Sequence, residues 1–301
     1  MRQPRPVLHS PRPRGRARGA GRSRLTATLV VVALFVAAGA ALAFLAPKQA
    51  STKKAAPDVW SAVASLPAPA EPAGPTPYFA SRGDVRLRLP VPPEAITALA
   101  FHQSSYKDTV TMTPLVALGT PSRFREVVKA AQATLKAGGE ATVAATPAGA
   151  DRDMDGVWTG AALELWRTTS GGKQDTAVDC GAAHGTPVFS PVDGVVMQIR
   201  PYKLYKKYDD FEIHIKPDAW NDLDVIVLHV TDPAVELGER VVGGLTRIAS
   251  VRDLASVVSG LQLRSYTLDG GNHTHVQVNK IPKPGETWVL GQDPPGFVRH
   301  D

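Results

Sequence analysis

Short runs in which apolar and polar residues alternate dominate the second half of the chain. Phe211, Ile213 and Ile215 alternate with Glu212 and His214, and Val276 and Val278 with Gln277 and Asn279. A period of two places alternate side chains on opposite faces of a strand. Asp224-Val225-Ile226-Val227-Leu228-His229-Val230 is largely apolar, as in a buried strand. Gly185-Thr186-Pro187-Val188-Phe189 leads through the turn residues Val192-Asp193-Gly194 into Val195-Val196-Met197-Gln198-Ile199. Many short strands punctuated by turns predict a mainly β, antiparallel architecture from about residue 169 to 285.

Residues 77–168 read differently. Val85-Arg86-Leu87-Arg88-Leu89 alternates as a strand, residues 96–101 form a second apolar segment, and residues 157–166 read as another strand. Between them, Ser122 is expected to cap a helix over residues 122–137. Phe124, Val127, Val128, Ala131 and Leu135 share one face of it, and Gly138-Gly139 ends it. This is a small α+β module. Residues 286–301 read as a C-terminal tail.

The N-terminus has a third pattern. Residues 25–46 are a 22-residue run without a charge, about 33 Å long as a helix against a hydrocarbon core of about 30 Å. Arg22 and Arg24 precede it, and only Lys48 follows closely. The positive-inside rule then places residues 1–24 in the cytoplasm and the remainder outside. Ala41-Leu42-Ala43 resembles a signal-peptidase site, but cleaved apolar regions usually run about 7–15 residues. A single uncleaved membrane helix is therefore expected. Residues 47–76, rich in Ala and Pro, read as a linker lifting the outer segments off the membrane.

Charge follows this division. Residues 1–24 hold eight arginines and no acid, a charge of +8 within a whole-chain charge of +6, so the rest of the chain is net −2. The basic balance belongs to the tail, and nothing in the folded part suggests a nucleic-acid partner. Cys180 stands alone, so no intrachain disulfide is possible, and it reads as a small buried apolar residue. Asp151-Arg152-Asp153-Met154-Asp155-Gly156 imitates a calcium loop, but Ala162 stands where the closing Glu is needed, so a solvated acidic turn is expected.

Candidate chemistry lies in the histidines. Five of the eight fall between positions 184 and 275. His273-Thr274-His275 follows Gly270-Gly271-Asn272, and two histidines one residue apart on a strand point to one face. Asp179 and His229 lie on other expected strands. His102 and His184 read as structural or surface residues, and His300 belongs to the tail. His214 reads as an outer-face polar residue, or as a replacement donor if its face lines a groove.

In order, these residues resemble the lysostaphin-type zinc endopeptidases, or LytM domains. An Asp-bearing strand comes first, then Gly-Thr-Pro-Val and Asp-Gly-Val-Val, a strand ending in His229, Val-x-x-Gly-x-x-Val, and His-x-His, over about residues 170–282. The resemblance implies an antiparallel β-sheet domain with one zinc in a groove, cutting peptide cross-links of bacterial peptidoglycan. It implies Asp179 and His275 as metal ligands, and His273 and His229 as catalytic residues.

One position departs from the family pattern. The family's first ligand is a His four residues before the Asp, and here that residue is Asp175. On an extended strand residues 175 and 179 share a face, so Asp175 is an altered third ligand or the mark of a domain that has lost catalysis. A second carboxylate adds negative charge beside the ion and favours metals that prefer oxygen, so zinc would be held more weakly or lost. Two functions follow. One is a single-pass bacterial membrane protein acting outside the cell as a zinc metalloendopeptidase on peptidoglycan peptides. The other is a catalytically degenerate LytM domain that binds the wall or a cell-envelope protein partner and regulates other hydrolases.

Overall fold

The computed structural model describes residues 74–139, 155–165 and 173–297. The expected cytoplasmic tail, the membrane helix at 25–46, most of the linker, the start of the acidic turn and His300 lie outside the described residues. No helix among the described residues is long and apolar enough to cross a membrane.

The strands are β1 (Tyr78–Arg82), β2 (Val85–Arg88), β3 (Ala98–His102), β4 (Thr113–Pro114), β5 (Ala117–Gly119), β6 (Ala161–Glu164) and β7 (Ala177–Gly181), with one helix, α1 (Pro121–Lys136), between β5 and β6. There follow β8 (Pro187–Phe189), β9 (Gly194–Leu204), β10 (Tyr208–Pro217), β11 (Leu223–Thr231), β12 (Arg240–Val241), β13 (Arg247–Val251) and β14 (His273–Lys280). The main sheet has the order β12-β9-β10-β11-β14-β7-β3-β6-β5, with β13 and β8 branching from β11. A second sheet has the order β2-β1-β4.

Pairing in the main sheet is antiparallel except at β3–β6 and β5–β6, which are parallel. The segment read as a separate α+β module therefore contributes β3, β5 and β6 to the same sheet as β7–β14. The link is β3 against β7, with Ala100 opposite Asp179 and His102 opposite Ala177.

Alternation gives this sheet two faces of different chemistry. Ile213, Ile215, Val225, Val227, Val276, Val278, Val178, Leu99 and Phe101 turn one way into the core, joined by Phe79, Leu87 and Leu89 of the second sheet and its flank. Burying each such side chain fully is worth about 1.5–3 kcal/mol. The other face carries Asp179, His275, Gln277, Asn279, Asp224 and His214, the partners of those apolar residues in the period of two.

Three expectations change. The helix starts one residue earlier, with Pro121 at its first turn and Thr120 at the N-cap, and Ser122 makes no cap. Of its expected face only Val128 is buried, while Val127 is half exposed. His214 is not an outer-face residue. It is 1% exposed, hydrogen-bonded to Asp224 at 2.8 Å and Glu212 at 3.0 Å. The C-terminal segment provides that cover. Within the segment that reads as a C-terminal tail, Trp288 is buried, packing edge-on to His214 and clustering with Met197 and Ile281.

Candidate metal centre

The polar face of the sheet opens into a groove of about 650 Å³ lined by His102, Asp179, His229, His273, His275 and Gln277, with Tyr202, Tyr205, Leu254 and Leu261 among its walls. Three adjacent strands deliver its centre. On β14 His275 pairs with Asp179 of β7, and one strand further His102 ends β3. One donor atom from each of His102, Asp179 and His275 lies within 4.8 Å of the others. Asp179 Oδ1 is 3.0 Å from His102 Nε2 and 2.9 Å from His275 Nδ1.

The outer nitrogens of the two rings fix which atoms face inward. His102 Nδ1 lies 2.9 Å from the Gln103 carbonyl, and His275 Nε2 lies 3.1 Å from Gln277 Oε1. Both partners accept, so those nitrogens carry the protons. Gln277 is itself fixed, taking a hydrogen bond from Ser104 Oγ at 2.8 Å and donating to Asn279 at 3.0 Å. The inward atoms of the neutral rings are then two nitrogen lone pairs facing an anionic oxygen. Three converging acceptors repel unless positive charge lies among them, as a metal ion or as imidazole protons. Burial opposes protons on His275 and holds its pKa below the ordinary value, against the pull of Asp179. Burial also works against the Asp179 carboxylate. Where imidazole protons supply that positive charge, those of His102 first and then His275 outweigh it, and the carboxyl is held well below the usual range. Two imidazole nitrogens and a carboxylate oxygen, leaving room in a groove, suit a catalytic zinc.

His273 and His229 flank this set. The approach to His273 is built by backbone geometry. Gly271 has φ +89, and a Cβ there would lie 2.6 Å from the Arg264 nitrogen, so only glycine fits. Asp269 Oδ1 accepts the Gly271 N–H at 3.0 Å, and Asn272 Oδ1 accepts from both Leu254 and Ala255 at 2.8 Å. His273 Nδ1 then donates to the Gly271 carbonyl at 2.7 Å, which turns Nε2 toward the centre, 3.7 Å from Asp179 Oδ1. Burial, with the neighbouring His229 and His275, lowers the His273 pKa to about 4 against the pull of Asp179, so the ring is neutral near pH 7. His229 sits at a bulge. Phe211 pairs with Val230 and Glu212 with Leu228, so His229 is the unpaired residue, and its φ is +61. The bulge brings its ring to 5.2 Å from that of His273 and 5.9 Å from that of His275.

Of the residues singled out from sequence, Asp179, His229, His273 and His275 come together. Asp175 is not among the converging donors. β7 begins at Ala177, and Asp175 precedes it with φ +53, so the extended-strand argument that put residues 175 and 179 on one face does not apply. Asp175 lies instead in the field of Glu164, and its pKa is raised by burial and by that carboxylate. His214 is not at the centre either. The third donor is His102, which sequence reasoning set aside. Its signal was weak but present, a His at the end of the short apolar strand β3. Cys180 is buried on the apolar face.

No family model and no curated relative matches the chain. Solved structures resemble it in part. LytU is 22% identical, with a TM-score of 0.28, over 42% of this chain and 74% of that one. The catalytic domain of the prophage-encoded M23 protein EnpA from Enterococcus faecalis, in a mutant form, is 19% identical, with a TM-score of 0.28, over 42% of this chain and 82% of that one. A zinc-containing peptidase from Vibrio cholerae is 20% identical, with a TM-score of 0.27, over 42% of this chain and only 33% of that one.

Proposed function

We propose that this chain is a LytM-type zinc metalloendopeptidase that cuts peptide cross-links in peptidoglycan. One observation carries the reading. His102, Asp179 and His275 bring three donor atoms within 4.8 Å at the floor of a groove, with two further imidazoles beside them. The ordered set of Asp179, His229 and His273-Thr274-His275 supports the substrate class, because it resembles the pattern of the wall endopeptidases. The degenerate-scaffold reading rested on Asp175 in place of a ligand; an imidazole of His102, from β3, beside Asp179 and His275 supports the peptidase reading over it.

His102, Asp179 and His275 would hold the zinc, which when bound would supply a Lewis acid and a water acidic enough to ionise near neutral pH. The rest is done by the chain. Asp179 brings one negative charge, and the Gln103 and Gln277 carbonyl oxygens hold the two ligand rings with the correct nitrogen inward. His273, neutral near pH 7 with Nε2 toward the centre, and His229 beside it are placed to take a proton from an attacking water or to donate to the developing oxyanion. The groove walls, Tyr202, Tyr205, Leu254 and Leu261, offer an extended peptide uncharged contacts. The charge-free run at 25–46, with arginines before it, supports a single-pass anchor with this domain on the outer side.

The test is release of new amino termini from purified sacculi by the zinc-loaded full chain. Release by the wild type that falls about 10²–10⁴-fold in His273→Ala, the size of a general acid–base contribution, is the expected result. No release by the wild type would contradict the proposal.

A further inference from the structure

Asp210 is a buried carboxylate outside the ligand set, and the bulge at His229 aims the imidazole at it. Asp210 lies on β10, just before the point where the β10–β11 register shifts. Its side chain is 0% exposed, and its Oδ2 is 2.6 Å from His229 Nδ1. Other fixed donors direct the carboxylate as well. The Phe211 N–H donates to Oδ1 at 2.9 Å, and the Tyr202 hydroxyl donates to Oδ2 at 2.8 Å. The Arg252 guanidinium, 3.6 Å from Oδ2, offsets the charge of the carboxylate. Tyr202 Oη is also 3.4 Å from His229 Nδ1, so it braces both partners. An ionised carboxylate only accepts, so His229 must carry its proton on Nδ1. Its Nε2 is left as a lone pair on the ring that faces the groove.

We propose that Asp210 is the positioning residue for His229, holding it as the Nδ1–H tautomer so that Nε2 serves as base. This rests on the peptidase reading for what the base does. In the reaction, His229 Nε2 takes one proton from water as the water oxygen bonds to the scissile carbonyl carbon. The same proton goes to the amine when the C–N bond breaks. Asp210 stays ionised and stabilises the imidazolium between the two transfers. Tyr202 and Arg252 hold Asp210, and the left-handed backbone at His229 supplies the approach. An imidazole not held in this way would be free to turn Nε2–H toward the groove, where it could not accept a proton.

The experiment is nitrogen NMR of the zinc-loaded full chain labelled at the histidine ring nitrogens, with His229 assigned by its loss in His229→Ala. The proposal expects a protonated Nδ1 and an unprotonated Nε2 in the wild type. In Asp210→Ala the proton distribution should move toward Nε2. On a soluble cross-linked muropeptide that variant should lose about 10²–10⁴-fold in kcat with KM little changed, and Asp210→Glu should recover part of the loss. A wild-type His229 protonated on Nε2 overturns the proposal, as does an Asp210→Ala protein with unchanged tautomer and unchanged kcat. If Asp210→Ala does not fold, the wild-type spectrum alone decides. If the wild type cuts nothing yet shows the Nδ1–H tautomer and loses it in Asp210→Ala, the positioning role stands and the peptidase reading fails.

Discussion

His102 and Asp179 are 77 residues apart in sequence, and their facing atoms, Nε2 and Oδ1, are 3.0 Å apart. Pairing of β3 with β7 produces this contact. It converts a set of two donors, Asp179 and His275, into three without using the position four residues before Asp179. The third donor, an imidazole, reaches the centre from the neighbouring strand.

Asp175 lies outside these three donors, which predicts that it is dispensable for metal. Asp175→His should leave zinc affinity and peptide release at the wild-type level, because the residue precedes β7 in left-handed backbone and lies outside the converging donors. A competition titration against a chromogenic chelator measures this. Zinc bound at least ~10-fold more tightly in Asp175→His, beyond what a remote change produces, would return Asp175 to the ligand set.

Gln277 orients His275 from outside the set of three donors. It accepts from His275 Nε2 and from Ser104, and donates to Asn279. Gln277→Leu should weaken zinc binding about 10–100-fold, as loss of a group that orients a ligand typically does. It should also lower stability by about 1–3 kcal/mol, because Ser104 and Asn279 lose a buried partner. Urea unfolding of the zinc-free protein separates the second effect from the first.

His214 makes the fold sensitive to alkali. Burial opposes its charge, but Asp224 and Glu212 together raise its pKa from 6.5 to about 10. A histidine raised in the folded state binds its proton more tightly there than when unfolded. Its contribution is full below pH 6.5 and is lost as pH rises through about 10. Thermal midpoints should fall between pH 7 and pH 10 by at least ~3 °C, the effect of about 1 kcal/mol in a chain this long. In His214→Gln the slope over that window should flatten. An equal slope in the variant would place the titration elsewhere.

Topology offers an independent check. If residues 25–46 span the membrane with the arginines inside, protease added to intact spheroplasts should remove a C-terminal tag. A tag protected until the membrane is lysed would reverse the orientation.

Local pattern made much of this legible. The alternation through Phe211–Ile215 and Val276–Asn279 located β10 and β14, and His273 and His275 share a face because they are two residues apart. What lay hidden depends on contacts distant in sequence. Nothing in Phe101-His102-Gln103 says that β3 will lie beside β7. Covering of His214 by Trp288 likewise joins residues far apart. The β9–β10 hairpin was read only in pieces, because its turn places Tyr205 and Lys206 at φ +51 and +59 without the Gly or Asn that usually marks such a turn. The error at Asp175 was local: an extended strand was assumed across a turn.

Elemental analysis of the full chain purified without chelator, wild type beside His102→Ala, tests the centre most directly. Three protein ligands and one open position predict about one zinc per wild-type chain. They also predict its loss from a His102→Ala protein that remains folded. Full zinc retained in His102→Ala, or no zinc taken up by the wild type even when it is added, would contradict the account.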